Sequence, residues 1–482
     1  MHKDVIVIGA GISGIAAGYH LKKKCSNKTF SILEARNNIG GTWDLFKYPG
    51  IRSDSDMHTL GYRFKPWISK KSIADGPSIL KYLDDTVKDY DLKKNILFNH
   101  KVLNANWNSK KSYWSLIVEA NGKSKEITCN FLFLCGGYFS YSKPHMPTFK
   151  DQENFRGDVI HPQFWNSEID YKNKRVIVIG SGATAVTLAP EIAKETKHVV
   201  MLQRSPTYVV SWPSEDKINL FLRKILPLKI SYFLVRWKNI LYQSYTYFVA
   251  KKFPKKLKEQ LIQRIKNELG NNYDVEKHFT PSYMPWDQRI CLVPDSDLFK
   301  AIKSGQLSIQ TDIIDKFESD GIILKSGKKI EADLIVTATG IELNALNDIN
   351  VSIDNNKVNP NERLTYKGMM LSGVPNFALS FGYVNASWTL RTDLTCEYVC
   401  RLIKLMDKKN VLSCTPIDDL EAYGNDKLID FTSGYIKRGL KMMPKQGNKS
   451  PWKNYQNYIK DIFAVRFMSI DDTNLKFHNS KD

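Results

Sequence analysis

Two stretches of this chain repeat one pattern. Val5-Ile6-Val7-Ile8 is a run of four apolar residues closed by Gly9-Ala10-Gly11-Ile12-Ser13-Gly14; Val176-Ile177-Val178-Ile179 is closed by Gly180-Ser181-Gly182-Ala183-Thr184-Ala185. Short unbroken apolar runs read as strands buried on both faces, and the segment after each turn reads as a helix. A second apolar run follows each helix, Phe30-Ser31-Ile32-Leu33 in the first case and Val199-Val200-Met201-Leu202-Gln203 in the second. Phe131-Leu132-Phe133-Leu134 before Cys135-Gly136-Gly137 and Leu334-Ile335-Val336-Thr337 before Ala338-Thr339-Gly340 read as closing strands. Between the units, Leu220–Leu226, Ile230–Trp237 and Lys255–Leu269 have the look of helices.

The turns carry the first chemistry. Glycines at Gly9, Gly11 and Gly14, and at Gly180 and Gly182, allow a tight bend and let backbone N–H groups approach a pyrophosphate at a helix N-terminus. Two such turns, each between a strand and a helix, predict an α/β fold with two Rossmann-like dinucleotide-binding domains. The residue ending each second strand separates the two ligands. Glu34 is placed to accept hydrogen bonds from ribose hydroxyls and repels a 2′-phosphate, so the first site suits FAD or NAD. Arg204 and Ser205 offer a cation and a hydroxyl, so the second suits NADPH. The expected division is a FAD domain from 1–145 and 341–482, an NADPH domain from 150–213 and 286–340, and a helical insertion at 214–285.

Composition narrows the partners. The net charge is +20 over 482 residues, but no helix-turn-helix, zinc-finger or RNA-binding pattern accompanies it, which argues against nucleic acid. Residues 214–270 hold thirteen Lys/Arg against four Asp/Glu, interleaved with Tyr and Trp. Two readings of that insertion stand: a helical lid with a solvated basic face, or a peripheral contact with an anionic membrane. Seven scattered cysteines form no CxxC pair and fit a reducing cytoplasm, and no metal-ligand spacing occurs. No signal peptide or stretch of 18 apolar residues is expected, which points to a cytoplasmic protein with at most peripheral attachment to the inner face of the cell membrane.

Two longer patterns name a family. Phe155-Arg156-Gly157-Asp158-Val159-Ile160-His161-Pro162-Gln163-Phe164-Trp165 fits FxGxxxHxxxW, and Gly40-Gly41-Thr42-Trp43 with Tyr48-Pro49-Gly50 and Asp54 fits a second fingerprint in the right order. On these the chain resembles the type I Baeyer–Villiger monooxygenases of the flavin-containing monooxygenase superfamily. Gly41 through Asp56 and Pro285-Trp286-Asp287-Gln288-Arg289 resemble its ethionamide-activating bacterial branch more closely. One departure is Asn166, where the family has Pro or Asp; another is Gln288, where many relatives carry a phosphate-gripping Lys.

The resemblance implies FAD and NADPH as cofactors and O2 with a small apolar ketone or sulfur compound as substrates. It implies Baeyer–Villiger oxidation of ketones to esters through a C4a-peroxyflavin, with S-oxygenation of thioethers or thioamides beside it. Arg289 then stabilises the anionic oxygen and Asp54 orients it, with Arg52 near the NADPH phosphate. To the flavin-contacting residues it adds Gly41, Thr42, Trp43, Asp44, Leu45, Asp54 and Val102. His161 reads as a structural hinge between the nucleotide units rather than a base. The alternatives are an N- or S-oxygenase without ketone activity, and an NADPH oxidase or flavin reductase.

Overall fold

The strand His2–Ile8 runs through the middle of a nine-stranded sheet, paired in parallel with Phe30–Leu33 on one side and with Lys123–Leu134 on the other. All four residues Val5–Ile8 are buried, as the unbroken apolar run requires when both sheet faces are covered. Their alternation separates two layers: Val5 and Val7 pack with the helices Ile12–Lys24 and Trp388–Lys409, whereas Ile6 and Ile8 pack with Trp107, Trp114 and Leu116. The computed structural model describes residues 1–417, 422, 428 and 432–479, so part of the 341–482 stretch lies outside the described residues.

The same sheet continues from Lys123–Leu134 through the antiparallel strands Tyr113–Ala120 and His100–Asn108. Two later segments join it. Asn350–Ile353 pairs with His100–Asn108, and Phe377–Leu379 extends the buried end of Lys123–Leu134. The helix Trp388–Lys409 is then tied to Ile12–Lys24 by His20 and Asp393, 2.7 Å apart and both buried. Arg63 and Arg466 reach the same Asp393 and Glu397, so these carboxylates are balanced by guanidinium groups.

The second sheet is wholly parallel, in the order Leu307–Thr311, His198–Gln203, Arg175–Ile179, Leu334–Thr337 and Asp158–Ile160. Its edge strand is part of the FxGxxxHxxxW pattern, so that stretch is sheet as well as linker. Residues 314–331 leave this sheet and make a separate three-stranded antiparallel one. The insertion contains the helices Lys217–Ile225, Leu228–Lys252, Pro254–Leu269 and Val275–Phe279. Where the sequence suggests a short helix ending at Trp237, the structure has one unbroken helix of 25 residues. Apolar residues occupy several sides of it, which hid the continuation. Among the described residues no helix is long and apolar enough to cross a membrane.

Candidate active site

The first glycine turn is closed tightly. Gly9 has φ +97°, and a Cβ on Gly14 would lie 1.8 Å from the Gly9 carbonyl oxygen, so neither position tolerates a side chain. The helix Ile12–Lys24 starts at Gly11 without a side-chain cap, leaving its first N–H groups for an external acceptor. Gly41, at φ +56°, brings the Gly-Gly-Thr-Trp loop against this turn: its Cβ would meet the Gly11 Cα at 3.0 Å. Ser13 receives a hydrogen bond from the Trp388 indole at 2.8 Å, so the N-terminal turns of two helices converge here.

Glu34 is buried beside the turn, accepting from the Ala10 N–H at 2.7 Å and the Arg36 N–H at 3.0 Å. Burial pushes its carboxyl pKa up, and the two N–H groups partly offset this. Asp44 is held by Arg36 at 2.5 Å, and Thr42, Trp43 and Leu45 share its short helix. Val102 is buried in the apolar layer with Ile8 and Leu33, so its side chain packs in the core rather than lining a pocket.

The second turn is open. Gly180 has φ +139° and packs on the Ala338 carbonyl, but a Cβ on Gly182 would meet nothing within 4 Å. Gly182 precedes the helix Ala183–Ile192, again without a side-chain cap, and Thr184 and Ala185 lie in that helix's first turn. Ser181 donates to the Ser205 carbonyl at 3.1 Å, setting the strand end against the turn. Arg204 and Ser205 are exposed, and among the described residues no carboxylate pairs with Arg204. Arg52, by contrast, is bound to Asp297 through its guanidinium.

A cavity of about 730 Å³ opens at the second turn, lined by Thr42, Trp43 and Asp54 together with residues 180–184 and Arg204. The loop Tyr48–Asp54 crosses it: Gly50 packs on Thr187 and Glu191 of the second unit's helix, and Tyr48 hydrogen-bonds Thr184. In the cavity Arg289 donates to the Asp54 carboxylate at 2.9 Å. Each side chain is about one third or more exposed to the cavity (39% and 35%), so the pair orients the guanidinium more than it stabilises the fold. The Asp54 charge raises the Arg289 pKa further above its ordinary value, outweighing burial. Trp286, at φ +68°, makes the turn that presents Arg289.

Sequence reasoning missed three neighbours. Tyr138 and Tyr435 both interact with Arg289, and burial raises both phenol pKa values, keeping them as O–H donors. Tyr138 directly follows Gly136-Gly137, a position the closing-strand pattern marks; Tyr435 comes from the C-terminal segment and carries no such signal. Arg438 lines the same cavity, and burial, with a smaller contribution from repulsion by Arg204, lowers its pKa.

His161 sits at the seam. Its Nε2–H donates to the Gly340 carbonyl at 3.1 Å and its Nδ1 accepts from the Gln163 N–H at 3.1 Å. Gln163 in turn donates to the carbonyls of Ser140 and Tyr141, at 3.2 and 3.0 Å, in the strand leaving the first unit. Burial lowers the His161 pKa to about 4, so it stays neutral. Trp165 is buried against Tyr171.

The chain matches the flavin-binding monooxygenase-like family over residues 72–404 and an NAD(P)-binding Rossmann-like domain over residues 7–69. It is 47% identical to the FAD-containing monooxygenase EthA of Mycobacterium tuberculosis, over 99% of this chain and 98% of that protein. It is also 47% identical to the probable FAD-binding monooxygenase AlmA of an Acinetobacter species, over 98% of this chain and 96% of that one. Its fold is similar to that of an oxidized steroid monooxygenase bound to NADP, with TM-score 0.78 and 20% identity over 99% of this chain and 100% of that one. With this breadth of match, the chain belongs to the flavin-binding monooxygenase-like family and is an α/β oxidoreductase, a FAD-containing, NADP(H)-dependent monooxygenase.

Proposed function

We propose that this monooxygenase converts small apolar ketones to esters by Baeyer–Villiger oxidation and also oxygenates thioether or thioamide sulfur. The observation that carries the reading is the Arg289–Asp54 pair, set in the cavity that Thr42, Trp43 and the second glycine turn border. Overall, ketone, O2, NADPH and a proton give ester, water and NADP⁺. Bound FAD would supply the redox chemistry, taking hydride from the nicotinamide and activating O2.

The residues of the chain do the rest. Gly9, Gly11, Ser13 and Gly14 offer helix N–H groups to the FAD pyrophosphate, and Glu34 accepts from its ribose. Gly41, Thr42, Trp43, Asp44, Leu45 and the backbone of Val102 wall the flavin side. Gly180, Ser181, Gly182, Ala183, Thr184 and Ala185 do the same for NADPH, whose 2′-phosphate meets Arg204 and Ser205, with Arg52 nearby. Arg289 carries a charge that no accessible pH removes, so it can stabilise negative charge developing on oxygen without giving up a proton. Asp54 is a positioning residue that aims it. The protein acts in the cytoplasm, with peripheral contact to an anionic membrane through its basic helices.

The test is NADPH consumption by the flavin-loaded protein against linear ketones and thioethers, with products identified and H2O2 titrated. Substrate-stimulated consumption with matching ester is expected. Sulfoxide from thioethers but no ester from any ketone would leave only the sulfur chemistry. Stoichiometric H2O2 throughout would overturn the reading.

A further inference from the structure

Building on the peripheral-membrane reading, we infer that the outer face of the helices Lys217–Ile225 and Leu228–Lys252 is a bilayer-docking surface. On the long helix Ile230, Leu234, Leu241, Tyr245 and Phe248 follow one another at intervals of three, four or seven residues and are 42–65% exposed. That spacing puts them on one face, with Phe233 (57%) and the half-buried Trp237 beside them. The shorter helix repeats the arrangement with Ile218, Phe221 and Ile225, all more than half exposed.

The helix cannot turn this face inward, because its opposite side is fixed by polar contacts. Arg236 donates to the carbonyls of His58 and Gly61, both at 2.7 Å, while Asn239 and Gln243 donate to Asp56 at 2.8 and 2.9 Å. Asp56 lies two residues from Asp54, so the same helix that presents the apolar stripe also braces the active-site loop. Phe463 and Phe467, 60% and 73% exposed, add a separate apolar pair at the surface. A face this large on a protein surface marks an interaction site.

Charge decides the occupant. Residues 214–270 carry thirteen Lys/Arg against four Asp/Glu. Among the described residues, no carboxylate pairs with Lys217, Lys224, Lys229, Lys255 or Lys256. Apposing this face on a second copy would bring like charges together, whereas anionic lipid headgroups neutralise them as the aromatic stripe enters the interface. An apolar substrate dissolved in that bilayer would then be concentrated at the enzyme.

The test uses the FAD-loaded full chain with vesicles of phosphatidylcholine alone and with added phosphatidylglycerol. Co-sedimentation should require the anionic lipid and weaken with salt, and brominated acyl chains should quench tryptophan emission less in Trp237→Phe than in the unaltered protein. Phe233→Ser and Leu241→Ser should each lower vesicle binding about tenfold while NADPH oxidation stays unchanged. Loss of all vesicle binding would remove the peripheral-membrane reading itself. Binding that persists undiminished in both variants would remove this face and leave that reading standing. A dimer that these variants dissociate would assign the face to a second copy. Sedimentation and quenching need no turnover, so none of these outcomes depends on the reaction assigned to the active site.

Discussion

The two nucleotide turns share one pattern and differ in how tightly they are built. At Gly9 and Gly14 the backbone leaves no room for a methyl group, the acceptor Glu34 is buried, and a second helix N-terminus closes in through Trp388 and Ser13. Around Gly180–Ala185 the space beside Gly182 is empty and Arg204 stands in the open. A closed, preorganised site suits a cofactor that stays, and an open one suits a cofactor that must enter and leave each turnover. The difference lies at Gly182 and in the exposure of Arg204, because Gly180 is packed at least as closely on Ala338 as Gly9 is on Cys135.

The strongest way to break that contrast is to add a methyl group to each turn. Gly14→Ala drives a Cβ into the Gly9 carbonyl and should cut flavin occupancy tenfold or more, with a lowered melting temperature. Gly182→Ala should leave flavin content and melting temperature nearly unchanged and raise only the KM for NADPH. Equal damage at both positions, read by flavin absorbance and thermal unfolding, would end the distinction.

A smaller effect sharpens the ligand assignment. Arg204→Ala should raise the NADPH KM about tenfold and leave NADH little affected, because only the 2′-phosphate contact is lost. Equal loss with both cofactors would move that contact elsewhere, with Arg438 the next residue to alter.

The smallest effect concerns the seam. The His161 pKa is lowered in the folded state to about 4 from an ordinary 6.5, so below pH 6.5 the unfolded chain binds a proton that the native chain refuses. Stability is unaffected above that pH and falls as pH drops from about 6.5 to about 4, by up to about 3 kcal/mol. His161→Asn should flatten this part of the pH–stability curve, measured by denaturant unfolding. An unchanged slope would remove His161 from the account.

Much of this was legible along the chain. Buried strands such as Val5–Ile8 and Val176–Ile179 declare themselves because both sheet faces are covered, and glycine turns at their ends are local features. The Arg289–Asp54 contact spans 235 residues, and no spacing rule foretells it; there only family resemblance brought the two residues together. Tyr435 and Arg438 stayed hidden because they enter the cavity from a C-terminal segment with no motif of its own. The exposed stripe on Leu228–Lys252 was unreadable for a related reason: apolar residues occupy several sides of that helix, and only the polar anchors Arg236, Asn239 and Gln243 reveal which side faces out.

The central claim is that Arg289 serves oxygen transfer and not cofactor reduction. The direct measurement compares Arg289→Ala with the unaltered protein in two experiments: flavin reduction by NADPH without oxygen, and oxygenated product formed per NADPH with it. In Arg289→Ala reduction should stay within about tenfold of normal, product should fall by about 10²–10³ or more, and NADPH electrons should appear as H2O2. Product yield within a few-fold of normal would contradict that claim.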